Sequence, residues 1–176
     1  MIETFAGNPS DRWRFFTDSV MGGVSTGQIV FDRDGDGSRA RMTGRVRTAN
    51  NGGFIQMQMR FDTPLPANCG GVRLVACGND QRYFIHLRSV DARTPMEFYR
   101  AAFDVTAEWR EIRLPFSQFS PSVAGLLALK AGTGIASMAV VAYGRDHDAD
   151  ISVREIGFDA AAGWQGPAPL SDEGRY

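Results

Sequence analysis

The sequence contains almost no lysine and no long hydrophobic run, and its charges nearly cancel. Of its 19 basic residues only Lys130 is a lysine, so any local positive patch must consist of arginine. The 20 acidic residues leave a formal net charge of −1, which provides no overall field to attract nucleic acid. A membrane-spanning helix needs about 20 mostly apolar residues in a row, and no such run occurs. We therefore predict no binding to nucleic acid and no insertion into a membrane.

Cysteine is also scarce, with Cys69 and Cys77 at the two ends of one predicted strand. An extended strand holds its ends too far apart for a disulfide, and no Cys/His set has zinc-ligand spacing. We predict two free thiols in a reducing compartment. Residues 1–16 lack the basic segment and apolar run of a secretory signal. Together these features lead us to expect a cytoplasmic location.

Helical periodicity is missing as well, since no stretch longer than about ten residues holds it. Alternation of apolar and polar residues recurs instead, in short segments bounded by Gly, Pro, Asn or Asp. These segments are 27–33, 39–48, 54–61, 72–77, 82–90, 97–105, 109–116, 137–144 and 150–159. They predict an all-β, antiparallel two-sheet sandwich of jelly-roll type over residues 1–160. Residues 123–130 could add a helical turn, and residues 161–176, with Trp164, are predicted to be a loosely ordered extension.

The alternation assigns two faces to each strand. In 39–48, Ala40, Met42, Gly44 and Val46 face one side and four arginines the other; in 54–61, Ile55, Met57, Met59 and Phe61 are predicted core residues. The polar sides would together form a donor-rich surface, near Phe84, Phe98 and Tyr99. Its members are Arg45, Arg47, Gln56, Gln58, Arg60, Arg82, His86, Arg88 and Arg100. Such a surface could hold a polyhydroxylated ligand or an acidic segment of a partner protein, or could simply be a solvated outer face.

Catalytic and metal-binding patterns are sparse. His86 and His147 are the only histidines, and no nucleophile elbow, zinc-protease motif or phosphate-binding glycine loop occurs. Residues 32–37 begin like a calcium loop, but Thr43 stands where a bidentate acid is needed, which favours a hairpin turn. Asp146, Asp148 and Asp150 are weak calcium candidates, with solvated turn residues as the alternative. We therefore expect no catalysis and no cofactor.

Two glycine-rich stretches stand directly before strand patterns: SVMGGVSTGQIVF at 19–31 and NNGGF at 50–54. Glycine in a regular element costs about 0.5–1 kcal/mol relative to alanine, so adjacent glycines indicate a special backbone conformation or a close approach. We predict that Gly22 and Gly23, and likewise Gly52 and Gly53, reverse the chain at positive φ.

Polar side chains accompany both stretches. Asp18 and Ser25 in the first, and Asn51 in the second, are suited to hydrogen bonding with turn amides. We hypothesise that the two loops lie together at one rim of the sandwich. Two interpretations remain open: the loops only set strand register and the entry to the core, or Asp18, Ser25 and Asn51 contact a ligand or partner.

At this separation the two motifs resemble the thirty-kilodalton complex I intermediate-associated protein family. The first element is carried by Trp13, Asp18, Val20, Met21, Gly22, Gly23 and Ser25. The second is carried by Gly44, Asn51, Gly52, Gly53 and Phe54. Later landmarks are Tyr83, Tyr99, Phe103, Trp109, Leu114, Pro115, Phe116 and Phe119, so the resemblance spans residues 3–159. One position departs: Gln58 stands where the family commonly has an arginine, with Arg60 two places later on the same face.

The resemblance implies a galactose-binding-domain-like β-sandwich, similar to carbohydrate-binding modules and without known catalytic activity. Mitochondrial family members are assembly factors that act as chaperones on a membrane-arm intermediate of respiratory NADH:ubiquinone oxidoreductase, complex I. We accordingly expect a non-catalytic protein that acts through protein–protein contacts, with complex I subunits or assembly intermediates as its partner. The alternative is a carbohydrate or small-polyol binding module that uses the arginine-rich sheet face.

These expectations select two sets of residues. The predicted ligand or partner contacts are Asp18, Ser25, Asn51, Gln58, Arg60, His86, Arg88 and Tyr99. The predicted structural turn motif consists of Met21, Gly22, Gly23, Gly52, Gly53 and Phe54.

Overall fold

The computed structural model describes residues 2–35, 37–63, 65 and 68–160. Twelve β-strands and four short 3-10 helices lie within these residues, which contain no α-helix. The strands are β1 (Ile2–Glu3), β2 (Trp13–Thr17), β3 (Thr26–Asp34), β4 (Gly37–Val46), β5 (Phe54–Arg60), β6 (Cys69–Gly78), β7 (Arg82–Ser89), β8 (Tyr99–Asp104), β9 (Arg110–Pro115), β10 (Ser120–Pro121), β11 (Ile135–Tyr143) and β12 (His147–Ala160). The 3-10 helices are Pro9–Asp11, Asp18–Met21, Ala49–Asn51 and Phe116–Gln118.

These strands form two sheets in which every pairing is antiparallel. The first sheet has the order β3-β4-β12-β6-β9, and β1 pairs with β12 beside this path. The second sheet has the order β10-β8-β7-β11-β5-β2. The all-β, antiparallel two-sheet sandwich predicted from the alternation is confirmed.

The core lies between the sheets and is filled by alternate residues of each strand. In β4, Ala40, Met42 and Val46 are fully buried, as their alternation with arginine predicts. In β5, Ile55 and Met57 are fully buried, while Met59, and Phe61 directly after the strand, pack against the core with partial exposure. Burial of such side chains contributes about 1.5–3 kcal/mol each, so this pattern determines which face of each strand turns inward.

Nine strands match the nine predicted segments, and three strands escaped the sequence analysis. β1 and β10 have two residues each, too few to show alternation. In β2, the run of aromatic residues at Phe15 and Phe16 hides the period. The helical turn predicted at 123–130 is wrong, because that segment is irregular. Cys69 is buried and Cys77 is half-buried, and no disulfide joins the two. Residues 161–176 lie outside the described residues.

Strand β11 occupies a central position in the second sheet, between β5 and β7. Met138, Val140 and Ala142 point into the core, yet Ser137 and Ala139 on the opposite side are also nearly buried, at 4% and 2% exposure. A strand buried on both sides reads as a nearly continuous apolar run, which is what its sequence shows. Its outer side is therefore covered by the larger side chains of neighbouring strands.

Candidate functional site

The Asp18 carboxylate joins the two glycine loops. Its Oδ1 accepts from the backbone amide of Ser25 at 2.9 Å, and its Oδ2 accepts from the Ser25 hydroxyl at 2.6 Å. Oδ2 also accepts from the amides of Gly53 at 2.6 Å and Phe54 at 3.4 Å. Burial by itself raises the pKa of Asp18, but these hydrogen bonds outweigh burial and hold the pKa below its ordinary value. We call this arrangement the Asp18 junction.

In each glycine pair, one glycine provides an unusual backbone conformation and the other provides space. Gly22 has φ +84° and Gly53 has φ +125°, in the region that disfavours side chains. Gly23 and Gly52 do not have positive φ, but a Cβ on either would overlap the Asp18 carboxyl group. The predicted positive φ is thus confirmed for Gly22 and Gly53. It is wrong for Gly23 and Gly52, which are needed because the carboxylate approaches so closely.

The two loops lie together at one rim of the sandwich, as hypothesised. Besides the Asp18 junction, the Asn50 side chain donates from Nδ2 to the carbonyl of Gly22 at 3.3 Å. The polar side chain that links the second loop to the first is therefore that of Asn50, not Asn51. Asn51 has φ +58° and is exposed at the surface.

Burial corrects the expectation that Asp18 and Ser25 contact a ligand or partner. Asp18 is 0% exposed and Ser25 is 4% exposed. The Ser25 hydroxyl donates to Asp18 and accepts from the amide of Arg47 at 2.9 Å, which also ties the loop to the end of β4. The structure gives both side chains a structural role, because their polar atoms are engaged inside the protein.

A cleft of about 620 Å³ lies on the outer face of the second sheet, next to these loops. Its floor is β11, where Ser137 and Ala139 leave space between longer side chains. The strand register places Ala139 between Gln58 on β5 and His86 on β7. The remaining lining comes from β2, the two loops, strands β5, β7 and β11, and the segment preceding β8. These residues are Phe16, Val20, Met21, Asn51, Gly52, Phe54, Gln56, Arg88, Pro95, Met96, Phe98 and Tyr143.

His86 stands within an aromatic cluster at the floor of the cleft. Its ring stacks on Phe98, with centroids 4.3 Å apart and an 18° angle between planes, and meets Tyr143 edge-on at 5.5 Å. Its Nε2 is buried and has no hydrogen-bond partner within the part of the chain that the structure describes. Burial, and then the positive charge of Arg100, lower the pKa of His86 to about 3. The imidazole is therefore neutral at physiological pH.

Arginines gather at the opposite end of the cleft from the glycine loops. Ser137 pairs with Arg60 on one side and with Arg88 on the other, so the three form one row across the sheet. The Arg88 Nη2 donates to the carbonyl of Thr94 at 3.1 Å, while its Nε is buried without a partner among the described residues. Arg60 is exposed. This end of the cleft is cationic.

Large apolar side chains are exposed at the rim. Val20 is 70% exposed, Met21 is 53% exposed and Met96 is 58% exposed, and all three line the cleft. We call these three residues the apolar rim. Sequence analysis treated Met21 only as part of a structural turn and did not select Val20 or Met96. Two consecutive large apolar residues in a polar, glycine-rich loop are the signal that could have revealed them.

Several predicted site residues lie elsewhere. Tyr99 points into the core at 4% exposure, with its hydroxyl donating to the Leu127 carbonyl at 2.6 Å, because the alternation of β8 turns it inward. This corrects its assignment to the ligand face. Arg45 and Arg47 belong to β4 or follow it, in the first sheet, so they are not continuous with Gln58 and His86. Strand order, which alternation does not reveal, separates them.

The three calcium candidates do not converge. Asp146 accepts from the amide and hydroxyl of Thr48, Asp148 pairs with Arg45 at 3.3 Å, and Asp150 pairs with Arg41 at 2.8 Å. Asp148 and Asp150 lie on β12 rather than in one loop. The described residues hold no group of three or more His, Cys, Asp or Glu side chains placed to bind a metal. Nor do they contain a helix long and apolar enough to cross a membrane.

The family model for complex I intermediate-associated protein 30 matches residues 4–147, which include both glycine loops, the Asp18 junction and most strands of both sheets. The chain belongs to this family. The match confirms the resemblance that the two glycine motifs indicated. A comparison with curated proteins found no match.

Several solved structures similar to this family member are carbohydrate-binding modules. A family 11 module from Clostridium thermocellum, in complex with a β-1,3-1,4-mixed-linked tetrasaccharide, has a TM-score of 0.71 at 14% identity, covering 90% of this chain and 94% of that one. The family 11 module of the Clostridium thermocellum cellulase Lic26A-Cel5E has a TM-score of 0.68 at 16% identity, covering 90% and 92%. A family 30 module reaches 0.53 at 10% identity, covering 78% and 92%. At these identities the likeness shows a common jelly-roll fold.

Proposed function

We propose that this protein is a non-catalytic binding protein that assists the assembly of respiratory complex I and contacts a protein partner at the cleft. Membership of the complex I intermediate-associated family supports the assembly context. The observation that carries the proposal is the apolar rim, where Val20, Met21 and Met96 are each more than half exposed. Exposed apolar groups around a depression are typical of protein interaction sites, and methionine adapts its shape to a partner.

The chemistry of the cleft supports a binding role over catalysis. None of the described residues that line it is Asp or Glu. Its only histidine is held neutral, with the pKa of His86 near 3, far below the range that suits a general base at neutral pH. Binding at this site needs only shape, apolar contact and hydrogen-bond donors.

A second candidate function is the binding of a glycan or small polyol in the cleft. It is favoured by the aromatic cluster of His86, Phe98 and Tyr143, with the amides of Gln56 and Gln58 nearby. A sugar-binding platform, however, needs an aromatic face open to the ligand. Here Phe98 covers one face of His86, and both rings are only partly exposed. Val20, Met21 and Met96, each more than half exposed at the cleft, are apolar and not aromatic, which favours a protein segment.

Affinity purification in mild detergent from the native cells tests this proposal. We compare the tagged wild-type protein with the double variant Val20→Asp/Met96→Asp and identify bound proteins by mass spectrometry. Complex I subunits should co-purify with the wild type and be lost with the variant. Each apolar contact contributes about 1.5–3 kcal/mol when fully buried, so losing two should weaken binding more than 100-fold.

Val30→Asp is the matched control. Val30 is 41% exposed, but it lies on β3 of the first sheet, away from the cleft. This variant should retain the complex I subunits. The proposal fails if these subunits never co-purify, or if both variants retain them equally. A wild-type protein that instead binds oligosaccharides on a glycan array would establish the second candidate function.

A further inference from the structure

The outer faces of the two sheets differ in how many of their arginines form ion pairs with acidic side chains. On the first sheet, Arg41 pairs with Asp150 at 2.8 Å, and Arg45 pairs with Asp148 at 3.3 Å. Arg73 pairs with both Glu111 at 2.9 Å and Glu155 at 2.7 Å. The charges of these three arginines are therefore neutralised within the protein.

The outer face of the second sheet carries arginines that lack such partners. Arg14, Arg60, Arg88 and Arg100 make no ion pair with any described residue. The strand register places Arg14 and Arg100 in one row with Gln58 and His86, next to the row that holds Arg60 and Arg88. Of these arginines Arg88 lines the cleft, and no described residue that lines it is acidic.

Two buried nitrogen atoms in the same wall also lack partners. Among the described residues only three buried side-chain nitrogen or oxygen atoms have no hydrogen bond, and two of these are Arg88 Nε and His86 Nε2 on β7. Buried polar groups in proteins are nearly always satisfied, and Arg88 lines the cleft, so its unsatisfied Nε donor indicates a missing acceptor. Arg88 is already oriented, because its Nη2 is held by the Thr94 carbonyl.

The two ends of the cleft carry different kinds of side chain. From Ser137, between Arg60 and Arg88, to Tyr143, beside the glycine loops, the floor strand spans six residue steps, or about 20 Å. The loop end carries apolar groups, including Val20, Met21 and Phe54. The other end carries the two guanidinium groups, with only the small Ser137 side chain between them.

Resting on the proposed function, we infer that the partner segment is an extended, acidic polypeptide that places a carboxylate between Arg60 and Arg88. Apolar side chains of the same segment, about four to six residues away, pack against Val20 and Met21 near the glycine loops. Charge complementarity determines this choice: the cleft supplies oriented donors without a counter-ion, and a side-chain carboxylate supplies the acceptors that Arg88 lacks.

Binding of synthetic peptides to the full-length protein tests the inference. The probes are overlapping peptides that cover the extramembrane segments of the complex I subunits of the same organism, measured by fluorescence anisotropy. Each peptide that binds is remade with its Asp and Glu residues replaced by Asn and Gln. The protein variants are Arg60→Gln/Arg88→Gln and, as a control with the same loss of charge, Arg41→Gln/Arg45→Gln on the first sheet.

We expect binding peptides to be acidic and to lose affinity about 10- to 100-fold when their carboxylates become amides. Arg60→Gln/Arg88→Gln should cause a similar loss of affinity for the acidic peptide. This variant should bind the acidic peptide and its amide form with the same affinity. The first-sheet control should bind like the wild type. Because Arg60 is exposed, Arg60→Glu alone provides a variant that keeps the fold if the double variant does not.

The outcomes separate this inference from the proposed function. The inference of an acidic segment is wrong if peptides bind equally well in their Asp/Glu and Asn/Gln forms, or if Arg60→Gln/Arg88→Gln binds peptides like the control. The proposed binding of complex I subunits is not affected by either result. If no peptide binds but the wild type binds acidic oligosaccharides, the occupant is a glycan and both fail. Absence of any binding to either kind of probe also overturns the inference.

Discussion

At the scale of single residues, Asp18 stabilises the protein by joining two loops that are distant in sequence. Asp18→Ala would leave the amides of Ser25 and Gly53 without acceptors inside the protein. Leaving buried donors unsatisfied costs about 1–3 kcal/mol each, so we expect the free energy of unfolding to fall by about 3 kcal/mol or more. Urea denaturation followed by circular dichroism measures this change.

Asp148→Ala is the control for this substitution. The Asp148 side chain is 72% exposed and pairs with an exposed arginine, an arrangement that contributes at most about 1 kcal/mol. If Asp18→Ala also lowers the free energy of unfolding by less than about 1 kcal/mol, the Asp18 junction is not important for stability.

His86 makes the stability of the protein depend on pH. A histidine in the unfolded chain titrates near its ordinary pKa of about 6.5, whereas the pKa of His86 in the folded protein is about 3. Between these values the unfolded chain binds the proton more tightly, so stability is fully present above pH 6.5 and declines as the pH falls. At pH 5 we expect a loss of up to about 2 kcal/mol relative to pH 7.

Urea denaturation at pH 7 and pH 5 checks this expectation, with His86→Gln as the comparison. The variant removes this titration but retains His147, whose pKa burial also lowers. Its stability should therefore fall less between the two pH values than that of the wild type. An NMR titration in which His86 takes up a proton near pH 6.5 would contradict the prediction.

At the scale of elements, Gly53 determines how the second loop enters β5. It has φ +125°, and an added Cβ would lie 3.2 Å from Thr48 Cγ2. Backbone strain of this kind costs about 1–3 kcal/mol, so Gly53→Ala should lower the free energy of unfolding by at least that amount and Gly53→Val by more. Thermal and urea denaturation provide the measurement.

Gly37→Ala provides the matched control, because Gly37 has no positive φ and open space at its Cβ position. We expect that change to be neutral or slightly stabilising, since alanine restricts the unfolded chain. If Gly53→Ala is as stable as Gly37→Ala, the entry to β5 does not depend on the backbone conformation of Gly53.

The sequence predicted strands correctly where one side of the strand is buried. It missed strands that are too short to alternate, and one in which consecutive aromatic residues obscure the alternation. All nine predicted segments became strands, since turning an apolar face inward leaves one register. Segment 137–144 is the exception in pattern, because β11 is buried on both sides and its sequence is nearly continuously apolar. β1 and β10 are defined only by their pairing with β12 and β8, so their existence depends on residues far away in sequence. The irregular segment 123–130 has helix-forming leucines, but tertiary contacts override that local preference.

At the scale of the whole molecule, the nearly balanced charge conceals an unequal distribution. The formal net charge is −1, yet Arg41, Arg45 and Arg73 on the first sheet form ion pairs, while Arg60 and Arg88 on the second sheet form none with the described residues. Composition therefore excludes an attraction to polyanions in general but does not describe the cleft. A local cationic end beside an apolar rim arises from strand order.

The sequence by itself determined the fold class, the family and the pairing of the two glycine loops, because alternation and the glycine motifs express local physical requirements. It also placed Gln58, Arg60, His86 and Arg88 on polar strand faces. Only the tertiary structure decided that Tyr99 turns into the core and that Arg45 lies on the other sheet. It also showed that Asp18 is a buried junction and that Val20, Met21 and Met96 border a cleft. The reason is that alternation states which side of a strand is polar, whereas a cleft depends on which strands become neighbours and how long their facing side chains are.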